Sequence, residues 1–361
     1  MDVARTHSRL AAAAVCALVA MPSPAVAQVS PVSFDAVVAA DGDTGSYVTR
    51  KSTAWIDLFG AVRIAGGLDL RARPVFLRRS FDGKWQTQVY ELALRYERPG
   101  KVGMRMDVGQ FPSPIGLAIL ENRPDANPVI SQHSTLYLPV PRVEQGIPTT
   151  MLLAASYPLG AQLTMSGHTW DARAAIVDTS PIRNRPFFGD SKPPRLMNTV
   201  VGGGITPRVG LRLGTTFAWG SYASSMEVRS PLKGNREAKL AQVEGEWSFG
   251  YTRLAGEWLW TERETAVPDD ADADGGWIEA VQTLSPRWFT AVRFDHQSIA
   301  WTNQADGAAK KERYQRLESA IGLRVSPDVT LRASYLTRKG YVVSFWDDQF
   351  LASVVWARKF K

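Results

Sequence analysis

From Val32 onward the sequence alternates. In Tyr90-Glu-Leu-Ala-Leu-Arg-Tyr96 the residues Tyr90, Leu92, Leu94 and Tyr96 fall on one face, and Glu91 and Arg95 on the other. In Val209 to Trp219 the apolar set is Val209, Leu211, Leu213, Phe217 and Trp219, opposite Arg212 and Thr216. Leu254, Trp258 and Trp260 oppose Arg253 and Glu257, and Leu317, Ile321, Leu323 and Val325 oppose Arg316, Glu318 and Arg324. A period of two is the signature of strands, whose successive side chains point to opposite faces. The pattern predicts strands at 47–63, 67–77, 86–97, 101–111, 160–167, 170–178, 198–206, 209–221, 237–248, 251–263, 276–284, 288–300, 313–325, 329–339 and 348–360. Val32 to Ala40, followed by Asp41-Gly-Asp-Thr-Gly45, supplies a sixteenth. A closed antiparallel barrel needs an even number, so sixteen is the expectation, with fourteen and eighteen as alternatives. Met151 to Tyr157 either extends the next strand past a bulge at Pro158 or belongs to a loop.

The connections fall into two classes. Short ones carry Pro or Gly, as in Arg98-Pro-Gly-Lys101, Phe249-Gly-Tyr251 and Ser326-Pro-Asp328, residues that preset tight turns. Long ones are expected near 112–148, 179–197, 222–236, 264–276 and 301–312. Short and long alternate along the chain, as when one rim of a barrel has turns and the other has loops. Asp269-Asp-Ala-Asp-Ala-Asp274 gives one loop an acidic tip. It lacks the Gly and terminal Glu of a calcium-binding EF-hand loop. The longest connection, 112–148, holds Pro112, Pro114, Pro124, Pro128, Pro139, Pro141 and Pro148. A structureless stretch of that length is usually functional.

Composition changes the picture by pointing to a membrane. No apolar run is long enough to span a bilayer as a helix, which takes roughly 20 residues. Yet the chain has 12 Trp, 10 Tyr and 14 Phe in a slightly polar average. Dense aromatics with alternating strands fit a transmembrane antiparallel β-barrel, apolar outside and polar inside, with aromatic girdles at both interfaces. A soluble periplasmic β-protein is the rival class. Residues 1–27 read as a secretory signal peptide, with Arg5 and Arg9 before an apolar stretch from Leu10 to Ala20 and an Ala25-Val26-Ala27 cleavage site. Cleavage there leaves 28–361 as the barrel and lowers the net charge from +7 to +6. It also removes Cys16, the one cysteine, which excludes disulfides and thiol catalysis from the mature chain.

If the polar faces turn inward, the lumen collects Arg63, Arg71, Arg73, Arg95, Arg105, Arg173, Arg212, Arg253, Arg293, Arg316, Arg324 and Arg332. The same faces bring in Asp57, Asp69, Glu91, Glu97, Asp107, Asp171, Glu244, Glu246, Glu257, Asp295 and Glu318. Arginine suits such a wall, because its planar donors can pair with a carboxylate and still face water. Rings of charge are a selectivity device, and the near balance of signs implies at most a modest anion preference. The same pairs could instead serve only to brace the wall. The 112–148 loop contributes Arg123, Asp125, Arg142 and Glu144 as candidate constriction charges.

The last strand places Phe350, Ala352, Val354, Trp356 and Phe360 on one face. It resembles the C-terminal assembly signal of Gram-negative outer-membrane barrels, with Lys361 one residue beyond the usual aromatic terminus. The chain as a whole resembles a Gram-negative porin. Asp107-Val-Gly-Gln-Phe-Pro-Ser-Pro-Ile-Gly116 is similar to the strand-to-loop passage G-x-F-x-x-P-x-G of the phosphate-selective porin O and P group. That resemblance implies a 16-stranded homotrimer with a loop folded into the pore, an outer-membrane location, lipid as neighbour and the barrel assembly machinery as partner through the last strand. A phosphate channel of that group would carry inward lysines, and the inward set here is arginine.

The expected function is passive diffusion of small hydrophilic or anionic solutes, with no catalysis, cofactor, metal or nucleic acid. The alternative is an outer-membrane phospholipase-like enzyme using His296 and Ser298, which share a strand face. Nucleophilic catalysis needs a base within reach of the hydroxyl and a third group to orient it. No such third group stands out in the sequence: Asn303 falls in a loop, and the family's downstream Asn-Gly is Ile299-Ala300. No plug domain is read ahead of the first strand, which disfavours energy-coupled import.

Overall fold

The computed structural model describes residues 32–43, 52–79, 83–137, 157–183, 195–226, 234–265, 271–302, 308–340 and 343–360. The signal peptide, residues 151–156, Arg142 and Glu144 lie outside the described residues. Sixteen strands are present: β1 (Val32–Asp43), β2 (Ser52–Ala65), β3 (Leu68–Arg79), β4 (Trp85–Arg98), β5 (Gly103–Gln110), β6 (Leu159–Ser166), β7 (Trp170–Val177), β8 (Asn198–Arg208), β9 (Leu211–Ala223), β10 (Arg236–Phe249), β11 (Thr252–Arg263), β12 (Ala271–Thr283), β13 (Trp288–Thr302), β14 (Ala309–Arg324), β15 (Val329–Gly340) and β16 (Val343–Phe360). One short helix, α1 (Ser134–Tyr137), follows β5. Every strand pairs antiparallel with its sequence neighbours, and β1 pairs with β16 from Phe34↔Phe360 to Asp43↔Leu351. The sheet is thereby a closed barrel without edges.

Alternation decides which way each face points. On β14 the outer face carries Leu317 and Ile321, exposed, while Arg316, Glu318 and Ala320 are buried inside. On β13, Val292 and Phe294 are outside, and Arg293 and Asp295 inside. A sheet that buries its charges and exposes its aliphatic residues has its water on the inside and its apolar solvent outside. No helix among the described residues is long and apolar enough to cross a membrane. Aromatic residues pair across strands on the exposed outer face. Phe34 meets Phe360 across the β1–β16 seam at 5.5 Å, and Tyr335 meets Phe350 at 5.2 Å.

The turns confirm their punctuation. Gly67 and Gly210 have φ of 77° and 84° at the β2–β3 and β8–β9 reversals. That left-handed backbone is open to glycine at little cost.

Two expectations are corrected. Tyr90 does not lie with Leu92 and Leu94: the pairing shifts between Arg73↔Glu91 and Pro74↔Val89. The bulge turns Tyr90 inward, where it is buried against Trp55 with ring centroids 6.4 Å apart. The acidic run is only partly a loop tip. The β11–β12 ladder continues to Arg263↔Ala271, so Asp272 and Asp274 sit within β12, opposite Glu262 and Trp260.

The outer face generates a first prediction. Leu317→Arg places a charge in the middle of the apolar belt and should destabilise the barrel by ~2–4 kcal/mol. Urea unfolding in lipid vesicles measures this, and an unchanged midpoint would mean that this face does not meet lipid.

Candidate functional site

The inner wall is a mesh of ion pairs. On the β2–β5 side Arg73 binds Asp57 at 2.6 Å, Arg71 reaches Glu91 at 3.4 Å, and Arg95 binds Asp107 at 2.5 Å. Arg105 reaches the same Asp107 at 3.2 Å, and Arg63 binds Asp69 at 2.8 Å. Across β7 to β10, Arg212 holds Asp171 at 3.1 Å and Glu244 at 2.5 Å, and Arg173 reaches Glu244 at 3.3 Å. Arg253 of β11 faces Glu246 at 3.5 Å. On β13 and β14, Arg293 lies among Glu279, Asp295 and Glu318 at 3.5–3.9 Å, and Arg316 binds Asp295 at 2.9 Å. A charge taken out of water is tolerated only when it is paired and hydrogen-bonded, and this mesh provides that on every side.

Two of the sequence-derived arginines differ. Arg324 has no carboxylate within ion-pair distance among the described residues; it donates to Pro286 O at 3.3 Å and stands over the Phe289 ring. Arg332 is buried and bonds to carbonyls of the long loop instead of to a carboxylate.

That loop is where the wall's charges converge. From Phe111 to Tyr137 it has little regular structure, so its buried N–H and C=O groups need partners elsewhere. The wall supplies them. Glu257 accepts from Leu117 N at 2.6 Å and Ala118 N at 3.3 Å. Glu318 accepts from Ile130 N at 3.0 Å and Ser131 N at 3.2 Å, and Asp295 accepts from Ser134 N at 2.9 Å. The cations take the carbonyls. Arg332 donates to Pro124 O at 3.0 Å, to Asn127 O and to Val129 O at 2.9 Å, and Arg316 donates to Gln132 O at 2.7 Å. Arg293 donates to Asn127 Oδ1 at 3.1 Å, and Gln297 to Ser134 O at 2.6 Å. The segment is thereby bonded to the inward-pointing side chains of β11, β13, β14 and β15. Gly116 is required at its start: φ is 79°, and a Cβ there would collide with the Glu257 carboxylate.

Apolar contacts fill the remaining space. Phe111 and Ile115 pack with Val177, Val200 and Leu259; Leu117, Ala118 and Ile119 pack with Val37, Trp55 and Trp277. Part of the inner face is thus a dry core. Sequence reasoning assigned the inner face to polar residues and missed these. The usable signal was a match of two apolar sets, Ile115-x-Leu117-x-Ile119 on the loop and the Ala and Val positions between the wall arginines.

Two loop residues were also missed. His133 is fully buried and contacts Glu121 at 2.9 Å through Nε2, while Arg293 Nη1 lies 3.2–3.4 Å from the ring nitrogens. A neutral ring protonated on Nε2 donates to Glu121 and accepts from Arg293 through Nδ1. Burial and the Arg293 charge push the imidazole down to about 4. Burial opposes ionisation of Glu121, but its His133 and Arg253 partners outweigh this and hold the carboxyl below its usual range. Of the expected constriction charges, Arg123 binds Asp125 at 3.1 Å and lies 3.9 Å from Asp35 of β1.

His296 and Ser298 do face the same way, outward from β13. The His296 ring is stacked on Trp258 at 5.6 Å, and no hydrogen bond joins it to Ser298 among the described residues. No group of three or more His, Cys, Asp or Glu side chains among the described residues is placed to hold a metal.

No family model matches the sequence, and no curated protein is similar to it in sequence. Solved structures share its fold. Outer-membrane expressed OmpT of Vibrio cholerae is 10% identical with a TM-score of 0.56, over 92% of this chain and 100% of that one. An anion-selective porin from Comamonas acidovorans is 10% identical with a TM-score of 0.57, over 91% and 99%. Salmonella typhi OmpF in complex with daunomycin is 11% identical with a TM-score of 0.57, over 91% and 97%. At this identity the likeness is one of fold: the chain has the barrel architecture of outer-membrane porins.

Two outcomes follow from the bonded loop. Glu318→Ala leaves the Ile130 and Ser131 N–H groups without their acceptor, at a cost of ~1–3 kcal/mol each. Val129, fully buried in the native seat, can be replaced by cysteine as a reporter; maleimide should label it faster in the Glu318→Ala background. Equal labelling would mean that Glu318 does not hold the loop. The second outcome concerns pH. Because the folded pKa of His133 lies below the unfolded value of ~6.5, protonation opposes the folded state. The seat is fully held above pH ~6.5 and weakens as pH falls through about 4. An imidazole proton resonance titrating near 4, absent in His133→Gln, is expected by NMR; a titration near 6.5 would exclude a buried neutral ring.

Proposed function

We propose that this chain is a porin of the Gram-negative outer membrane, allowing small hydrophilic solutes to diffuse passively through its lumen. The observation that carries the proposal is the bonding of residues 117–134 to the inward side chains of β11, β13, β14 and β15. A segment leaving β5 and held on the opposite wall crosses the barrel and narrows it. The passage left for solutes is then bordered by this segment and by the half-exposed groups of β3 to β9, where Arg71, Arg95, Arg105, Arg173 and Arg212 stand among their carboxylates. The remaining arginines of the set, Arg73, Arg253, Arg293, Arg316 and Arg332, with Asp107, Glu257, Asp295 and Glu318, brace the wall and the loop. Residues 112–148, including Arg142 and Glu144, form the constriction loop in this reading.

A modest anion preference is proposed on one ground: Arg324 and Arg332 lack carboxylate partners, whereas most wall carboxylates have a cation. The Gly109 to Gly116 passage supports kinship with the phosphate-selective O and P group at the level of how the loop leaves the strand. A homotrimer, cleavage near Ala27 and recognition of β16 by the barrel assembly machinery complete the proposal. The trimer draws support from one similar structure, a trimer form of Vibrio cholerae OmpT.

Planar-bilayer recording tests the function. The purified protein should give ohmic channels, and deletion of 118–144 should raise their conductance. No channel at all would sink the porin reading; an unchanged conductance would place the loop outside the current path. Reversal potentials in a salt gradient, with phosphate compared to chloride, read the sign of selectivity.

A further inference from the structure

We propose that the turn-side mouth of the barrel carries a binding site for a small organic anion, distinct from the narrowing made by the loop. It lies in a cavity of about 630 Å3 between loop residues 124–128 and the β12–β13 and β14–β15 turns. That size is in the range of sites for small organic ligands, roughly 300–1,000 Å3.

Three arginines line it: Arg287, Arg324 and Arg332. None has a carboxylate within ion-pair distance among the described residues, which sets them apart from the paired arginines of the wall. Arg287 and Arg324 are held close by the backbone, since Arg324 N donates to Arg287 O at 2.8 Å. Two guanidinium groups on adjoining turns repel each other and favour an anion between them. Arg332 is buried, and its Nε–H has no hydrogen-bond partner. Two carboxylates also line the cavity. Asp125 is engaged by Arg123 at 3.1 Å, and Asp328 is the other. The positive groups therefore outnumber the free negative ones.

The rest of the lining identifies the body of the ligand. Phe289 is buried, its ring is packed on Gly322 where any Cβ would collide with it, and Arg324 Cζ stands 5.0 Å from its centroid. Val281, Val355 and Ala357 add aliphatic surface. Planar guanidinium groups bind a carboxylate through paired hydrogen bonds, and a ring-and-aliphatic floor favours an apolar body over water. The geometry points to a carboxylate with an apolar body.

The site rests on the porin reading only for its route of access, and equilibrium binding tests it independently. The folded protein in detergent micelles would be dialysed against cyclohexanecarboxylate, its neutral isostere cyclohexylmethanol, and inorganic phosphate. Saturable binding of the carboxylate is expected, weakened at least tenfold in the Arg287→Gln/Arg324→Gln double variant. These side chains are exposed, so the variant keeps its fold, which heat-modifiable gel migration verifies. Equal binding by the double variant, or by the alcohol, overturns the proposal. Phosphate binding as tight as the carboxylate overturns the organic class. Binding without conductance would sink the porin reading and leave this site standing; conductance without binding would do the reverse.

Discussion

The structure depends on one kind of bond, between a neutral backbone group of the long loop and an ionised side chain of the wall. Glu257, Glu318 and Asp295 accept from five loop N–H groups, and Arg316 and Arg332 donate to four loop carbonyls. Secondary structure normally meets these needs within the segment itself. Here the prolines prevent a ladder or a long helix, and the barrel becomes the partner. Charge-assisted bonds are about twice as strong as neutral ones, which compensates for their irregular spacing. The wall charges in turn are satisfied by the loop and by one another, so neither surface would be well formed alone.

This arrangement gives the inner face two textures. Where the loop lies, the wall is packed like a protein interior, with Trp277, Leu259 and Val37 beside fully buried Arg293 and Asp295. Where it does not, arginines such as Arg105 and Arg212 remain partly open to water. The outer face is aliphatic and aromatic along its belt, with an exposed ion pair such as Lys239–Glu262 toward the loop ends of the strands.

The barrel was legible because alternation reports on each strand without reference to any other. All sixteen segments were visible, and the side chains of Arg293, Glu318 and their counterparts point as the alternation implied. What was hidden depends on contacts between distant parts of the chain. Tyr90 turns inward through a bulge that has no mark in the local pattern. The role of His133 was hidden because its partners, Glu121 and Arg293, lie 12 and 160 positions away. Glu279 is buried beside Arg293, but nothing around it in sequence sets it apart from a strand-end carboxylate. Between bulges, local periodicity sets the direction of a side chain; it is silent on whether water or a loop will meet it.

The length of chain between the loop and its partners carries a further consequence, for the order in which the molecule is made. Arg332 is 208 residues beyond Pro124, and Glu318 is 188 beyond Ile130. A contact of such separation forms late, after the intervening chain has been ordered. The loop is thus synthesised early, meets its first wall acceptor in Glu257 of β11, and is not fully seated until β13 to β15 exist. Five further strands, β6 to β10, are added before that first acceptor is made, and the rest of the seat follows with β13 to β15. Since β16 closes on β1, the loop must already lie inside the curling sheet when that seam forms. The last strands to be laid down therefore both close the wall and fix its contents.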